Sequence, residues 1–252
     1  MRAYWLVRPQ NKIIMPDTIY CLLVEASQVS PGKSSEFLSP AELQKLSFLR
    51  FPKRRSEWLL GRWTAKSLVQ NLPGYRRYSL DQIEICNMPA GAPQIHLPEG
   101  KVSRNCLSIS HRDCLAFCAL ATGPGSKIGA DLEKIEPRAG NFALDYFTTA
   151  EQMLVDSYPV ETRDILTTLI WSAKEAMLKA LGVGLRWDTR QVEIREIKGL
   201  DAPSGEWQKI RAITVLKDHY WSVNWQRRGD YILTLAGLNA KPANLLIVEQ
   251  KL

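Results

Sequence analysis

Apolar residues at Leu166, Leu169, Ile170, Ala173, Ala176, Met177, Ala180 and Leu181 recur with the 3.6-residue period of an amphipathic helix. Gly182 follows them, a residue type that readily ends a helix. Two capping boxes open further helices, Ser39-Pro40-Ala41-Glu42 and Thr148-Thr149-Ala150-Glu151. Apolar, strand-like runs cover Cys106–Ser110, Cys114–Ala121, Tyr220–Trp225 and Tyr231–Leu238. They predict two hairpins, with Arg112-Asp113 and Gly229-Asp230 in the turns. Lys127 to Ile135 reads as one more strand.

These elements repeat. The second capping box stands 109 residues after the first. Trp63-Thr64-Ala65-Lys66 returns as Trp171-Ser172-Ala173-Lys174, and Gln82-Ile83-Glu84-Ile85 as Gln191-Val192-Glu193-Ile194. The order is kept and the offset barely changes. The pattern predicts an α+β fold of two similar subdomains related by a pseudo-twofold axis, with the active site in the cleft between them. The expected boundaries are 1–122, a Gly/Pro-rich hinge at 123–127, and 128–252. The copies differ in charge: Glu175 and Lys179 of the second stand where the first has Ser67 and Asn71.

Composition adds little beyond an ordinary globular chain, with 45% hydrophobic and 23% charged residues among 252. Five cysteines without a CxxC pair fit a reducing compartment. The apolar stretch near Met1–Pro9 is too short for a signal peptide, and no run reaches the ~18 residues of a membrane span. A cytoplasmic protein is expected, without a membrane partner. The net charge of +7 favours anionic partners, and Lys45, Arg50, Lys53, Arg54, Arg55, Arg62, Lys66, Arg76 and Arg77 concentrate it.

Candidate chemistry sits in two stretches. On a strand from Lys127, Asp131 and Glu133 share a face. On the helix, Trp171, Glu175 and Lys179 follow one another at four-residue steps. Separately these read as a solvated strand face and a surface ion pair. Brought together, three carboxylates ~4 Å apart repel by roughly 4 kcal/mol per pair at an effective dielectric of 20. Mg²⁺ relieves such repulsion and also binds substrate phosphates. Ser110-His111 closes the first half's strand and suits a phosphate contact better than a serine nucleophile, since no G-x-S-x-G surrounds it.

The order G-x-P, S-H, G-x-D-x-E and W-x-x-K-E-x-x-x-K, in Gly91–Pro93, Ser110-His111, Gly129–Glu133 and Trp171–Lys179, resembles the 4′-phosphopantetheinyl transferases of the larger, monomeric Sfp-type class. The resemblance covers roughly Ser39 to Ile194. It implies transfer of the phosphopantetheine arm of coenzyme A to a serine of an apo acyl or peptidyl carrier protein, with release of adenosine 3′,5′-bisphosphate. Asp131 and Glu133 would hold Mg²⁺ (or Mn²⁺), and Glu175 would complete that site or act as base. Lys179 would steady the phosphoryl group in transit, while Lys45, Arg62, Ser110 and His111 would grip the adenosine end. The chain departs from the family pattern at Ala92, Asn87 and Ser108, all near the expected 3′-phosphate contacts. The carrier is expected to be acidic and the enzyme monomeric. Two other readings remain: an anion- or nucleic-acid-binding module without activity, and a degenerate member that binds coenzyme A without turnover. No nucleic-acid motif accompanies the basic run, so nucleic acid is not the expected partner.

Overall fold

The computed structural model describes residues 18–29, 31–122, 125–214, 221–238 and 246–250. The chain divides into two units, Met1–Ser126 with Leu245–Leu252, and Lys127–Asn244. The division falls inside the expected hinge, of which residues 123 and 124 lie outside the described set, as do the N-terminal residues 1–17.

The first unit runs β1 (Thr18–Glu25), α1 (Pro40–Ser47), α2 (Pro52–Gln70), β2 (Glu84–Asn87), β3 (Pro93–Leu97), β4 (Lys101–Val102), β5 (Cys106–Arg112) and β6 (Leu115–Ala121). The second runs β7 (Lys127–Lys134), α3 (Phe142–Tyr146), α4 (Thr149–Asp156), α5 (Val160–Leu181), β8 (Val192–Ile197), β9 (Gln208–Thr214), β10 (Trp221–Arg228) and β11 (Tyr231–Leu238). β12 (Leu246–Gln250) then returns to the first unit, where it pairs in parallel with β1. The sequence carried the second subdomain to residue 252; β12 (Leu246–Gln250) pairs with β1 of the first unit instead.

In the first unit one sheet has the order β12-β1-β6-β5, and β2-β3-β4 form a separate one. Helix α2 buries Leu60, Ala65, Leu68 and Val69 in a core with Leu22 and Val24 of β1 and Ala116, Cys118 and Leu120 of β6. In the second unit all five strands join in the order β7-β11-β10-β9-β8. Helix α5 buries Leu166, Leu169, Ile170, Ala173, Ala176 and Met177 in a core shared with Val192, Ile194, Ile232 and Ala236. Its expected stop is present: Gly182 caps it with φ 75°.

Both hairpins form with two-residue loops. Arg228 pairs Tyr231 around Gly229-Asp230, as the sequence predicts. In the first hairpin Arg112 pairs Leu115, so the loop is Asp113-Cys114, one residue later than expected. Asp113 takes the positive φ of 54° that such a loop demands, a conformation aspartate tolerates better than most residues.

The duplication extends to buried charge. Glu42, at the third helical position of α1, completes a capping box with Ser39 and pairs with Lys66 of α2. Its other oxygen accepts from the Ile85 N–H of β2. Glu151 repeats every part of this: a capping box with Thr148, a 2.5 Å pair with Lys174 of α5, and a bond from the Ile194 N–H of β8. Each lysine also donates to a backbone carbonyl, Lys66 to Phe37 and Lys174 to Val192. The lysine of each W-[ST]-A-K motif is therefore a structural tie between two helices and a strand, fully sequestered from solvent.

Candidate active site

Asp131 and Glu133 both point at α5 from β7, as the strand alternation predicts. The approach is close because Gly129, two residues earlier on that face, has no side chain. A Cβ there would sit 1.7 Å from the Ala176 carbonyl oxygen. The helix thus lies directly on the strand's backbone and brings Trp171, Ser172, Glu175 and Lys179 over the two carboxylates.

Asp131 is buried, with 2% of its surface exposed. Its Oδ1 accepts from Lys179 Nζ at 2.6 Å and its Oδ2 from the Ser172 hydroxyl at 2.8 Å. Thr234, directly opposite Asp131 on β11, donates in turn to the Ser172 carbonyl. Glu133 accepts from Trp171 Nε1 at 3.2 Å and from Arg138 Nη2 at 2.9 Å. Lys179 Nζ also stands 3.7 Å from Glu175 Oε2. The four residues singled out from the sequence therefore meet within the second unit.

Their electrostatics are strongly coupled. Burial, with the charge of Asp131 and a smaller push from Glu133, raises the Glu175 carboxyl to about 7 despite Lys179 beside it. Burial acts to lower Lys179, but Asp131, Glu175 and Glu133 outweigh it and hold the ammonium above the usual lysine range. A carboxyl poised near neutrality next to a fixed cation is equipped to take a proton from a hydroxyl.

Mg²⁺ suits this donor set, which offers hard carboxylate oxygens and carries a mutual repulsion that Glu175 registers. Among the described residues no three His, Cys, Asp or Glu side chains stand ready as a ligand group. Lys179 and Ser172 take up Asp131, and Arg138 and Trp171 take up Glu133.

On the far side of Trp171 opens a cavity of about 460 Å³, lined by Phe142, Tyr146, Trp171, Leu185 and Trp187 with the charged Asp145, Arg186 and Asp188. Trp171 belongs to both features: its indole N–H holds Glu133 and its ring meets Phe142 and Tyr146 edge-on. Arg138 joins them too, with its guanidinium 5.3 Å above the Phe142 ring.

The residues expected at the adenosine end lie in the first unit around α2. Arg62 is buried, stacks 4.9 Å over Trp58, and donates from Nη2 to Asn87 Oδ1 at 2.8 Å. Asn87 thus tethers Arg62, while its own amide donates to the Gly91 carbonyl. Lys45 is exposed; partial burial and the Arg62 charge lower its pKa. Ser110 is buried in β5, and exposed His111 stands 4.0 Å from Glu57. Gly61 lies against Ile109 and His111. Glu42 faces two buried cations, Lys66 and Arg62, whereas among the described residues Glu151 pairs with Lys174 alone.

Sequence reasoning missed Ser172, Thr234, Arg138 and Asn87 as partners of the site residues. Ser172 was visible only as part of the repeated motif. Arg138 and Thr234 carry no local signal, because a loop and a neighbouring strand bring them in.

Residues 127–236 match the model of the 4′-phosphopantetheinyl transferase superfamily. The chain is 28% identical over 187 residues to the 4′-phosphopantetheinyl transferase HetI of Nostoc sp., covering 72% of this chain and 76% of that protein. It is 26% identical over 162 residues to the 4′-phosphopantetheinyl transferase Sfp of Bacillus subtilis, covering 63% and 66%. Among solved structures, the holo-[acyl-carrier-protein] synthase of Thermotoga maritima aligns with a TM-score of 0.37 and 22% identity, over 46% of this chain and 64% of that one. Residues 127–236, which hold Asp131, Glu133, Glu175 and Lys179, thus carry the similarity to the 4′-phosphopantetheinyl transferase superfamily.

Proposed function

We propose that the protein is a monomeric, cytoplasmic transferase of the Sfp-type class. It moves the 4′-phosphopantetheine arm of coenzyme A to a serine hydroxyl of an acidic apo carrier protein. The observation that carries this reading is the meeting of Glu175, raised to about 7, with Lys179 and Asp131 on one strand–helix seam. The serine oxygen attacks the phosphorus bearing the pantetheine, and its proton passes to Glu175. The bond to the adenylate-side oxygen breaks, and adenosine 3′,5′-bisphosphate departs with the electron pair. Lys179 steadies charge on the phosphoryl oxygens in transit. Asp131 and Glu133, with Glu175 at their edge, would hold Mg²⁺, which supplies neutralising charge for the pyrophosphate. The cavity beside Trp171 offers an uncharged arm room.

Lys45, Arg62, Ser110 and His111 are proposed for the adenosine end. Arg62, tethered by Asn87, supplies the cation that Ala92 does not. No helix among the described residues is long and apolar enough to cross a membrane. To test the reading, the protein is incubated with coenzyme A, Mg²⁺ and apo carriers from fatty-acid, polyketide and peptide synthases. Intact-mass spectrometry should show one added phosphopantetheine on at least one carrier. Absence of the adduct on all three overturns the proposal.

A further inference from the structure

The corner between α1 and α2 breaks two local rules at once. Phe48 is the C-cap of α1 and Phe51 the N-cap of α2, and each exposes 72% of its surface. An N-cap prefers Ser, Thr, Asp or Asn, whose side chain accepts from a free helix N–H, and Phe51 makes no such bond. Exposed apolar patches mark contact surfaces, and the two phenylalanines stand three residues apart at one corner. Violations of local preference likewise cluster at functional positions.

The second unit lacks the aromatic pair, although its N-cap likewise makes no side-chain bond and Val160 beside it exposes 70% of its surface. At the matching corner the C-cap of α4 is Ser157, whose hydroxyl donates to the Leu154 carbonyl, and the N-cap of α5 is Pro159. The balance of charge differs as well, although Arg163 of α5 also folds back on the second corner and pairs with Asp156. Asp156 and Glu161 flank that corner, whereas Arg50, Lys53 and Arg54 flank the first. Lys53 pairs at 3.8 Å with Glu57, and Lys45 lies one turn before the corner. Two exposed aromatic residues with cations beside them in the chain match the composition of protein-binding hot spots, where aromatic residues and arginine are enriched.

We propose that Phe48 and Phe51, with Arg50 beside them, dock the carrier protein through an acidic helical surface whose apolar side covers the two rings. This rests on the transferase reading and extends it to a partner surface in the first unit. Charge complementarity sets the occupant: the rings take the apolar side of a helix and the flanking cations its carboxylates.

The test uses the full chain, coenzyme A and an acidic apo carrier whose acceptor serine is replaced by alanine, so that binding is read without turnover. Phe48→Ala/Phe51→Ala and Arg50→Glu should each weaken carrier binding at least ten-fold, while the affinity for coenzyme A stays unchanged. The Arg50→Glu effect should shrink as salt rises. Carrier binding unchanged in both variants overturns the inference. So does patch-dependent binding of anionic vesicles or RNA where the carrier does not bind. Transfer to the intact carrier is followed in parallel. Patch-dependent binding without any transfer by the wild type overturns the transferase reading alone. Transfer with an unaltered KM in both variants overturns the docking surface alone.

Discussion

Gly129 and Ala176 touch backbone to backbone: a Cβ on the glycine would fall 1.7 Å from the alanine carbonyl oxygen. Nothing but hydrogen fits between β7 and α5 at that point. The contact sets how deeply the helix seats over Asp131, and Glu175 is the residue next to Ala176. Gly129→Ala should force the elements apart, lowering stability by about 3 kcal/mol or more in urea titration. Transfer should fall further than that loss explains.

The two buried carboxylate–lysine ties predict an asymmetry. Glu151→Gln leaves Lys174 unpaired in the interior and should lower stability by about 3–5 kcal/mol. Glu42→Gln leaves both Lys66 and Arg62 and should be the more damaging. Glu151→Gln/Lys174→Met should recover much of the single-variant loss, since a packed apolar pair often replaces a buried ion pair without penalty. Urea midpoints of the four proteins decide.

The raised carboxyl of Glu175 carries a sign. Its native value of about 7 exceeds the ordinary 4.5, so the folded protein binds the extra proton between those values. Stability therefore falls across that window as pH rises. In metal-free protein, Glu175→Gln should remove this slope and be the more stable form above pH 7, by about 1–3 kcal/mol. The difference between the two stability–pH curves is the readout.

Lys179 competes for the oxygen that a metal needs on Asp131. Lys179→Met should therefore bind Mg²⁺ more tightly by calorimetry. Without Mg²⁺ it should melt below the wild type, because Asp131 and Glu175 then lack their cation, and it should regain stability when Mg²⁺ is added. Transfer should still drop about 100-fold or more, as expected for loss of a group that stabilises developing charge.

Much of this was legible in the chain. Capping boxes and hairpin loops are local, so Ser39, Thr148 and Gly229-Asp230 announced themselves. The 3.6-residue period placed Glu175 and Lys179 on one flank of α5, and strand alternation put Asp131 and Glu133 on one face. The strength of Gly129's role was less visible, because a glycine in a strand signals close approach without naming the partner. Long-range pairings were silent: β12 joining β1, Thr234 opposite Asp131, and Arg138 folding back on Glu133. The repeat showed that W-[ST]-A-K recurs but not that its lysine is buried against a capping-box glutamate. That meeting depends on two helices and a strand packing together.

The most direct test of the account is single-turnover transfer of phosphopantetheine to an accepted carrier by the wild type and Glu175→Gln, read by intact mass at saturating coenzyme A and Mg²⁺. The account predicts a wild-type rate that rises with pH as Glu175 loses its proton, below its metal-free value of about 7 because Mg²⁺ favours the carboxylate, and the loss of that rate with its pH dependence in the folded variant. Undiminished transfer by Glu175→Gln with the same pH profile would contradict it.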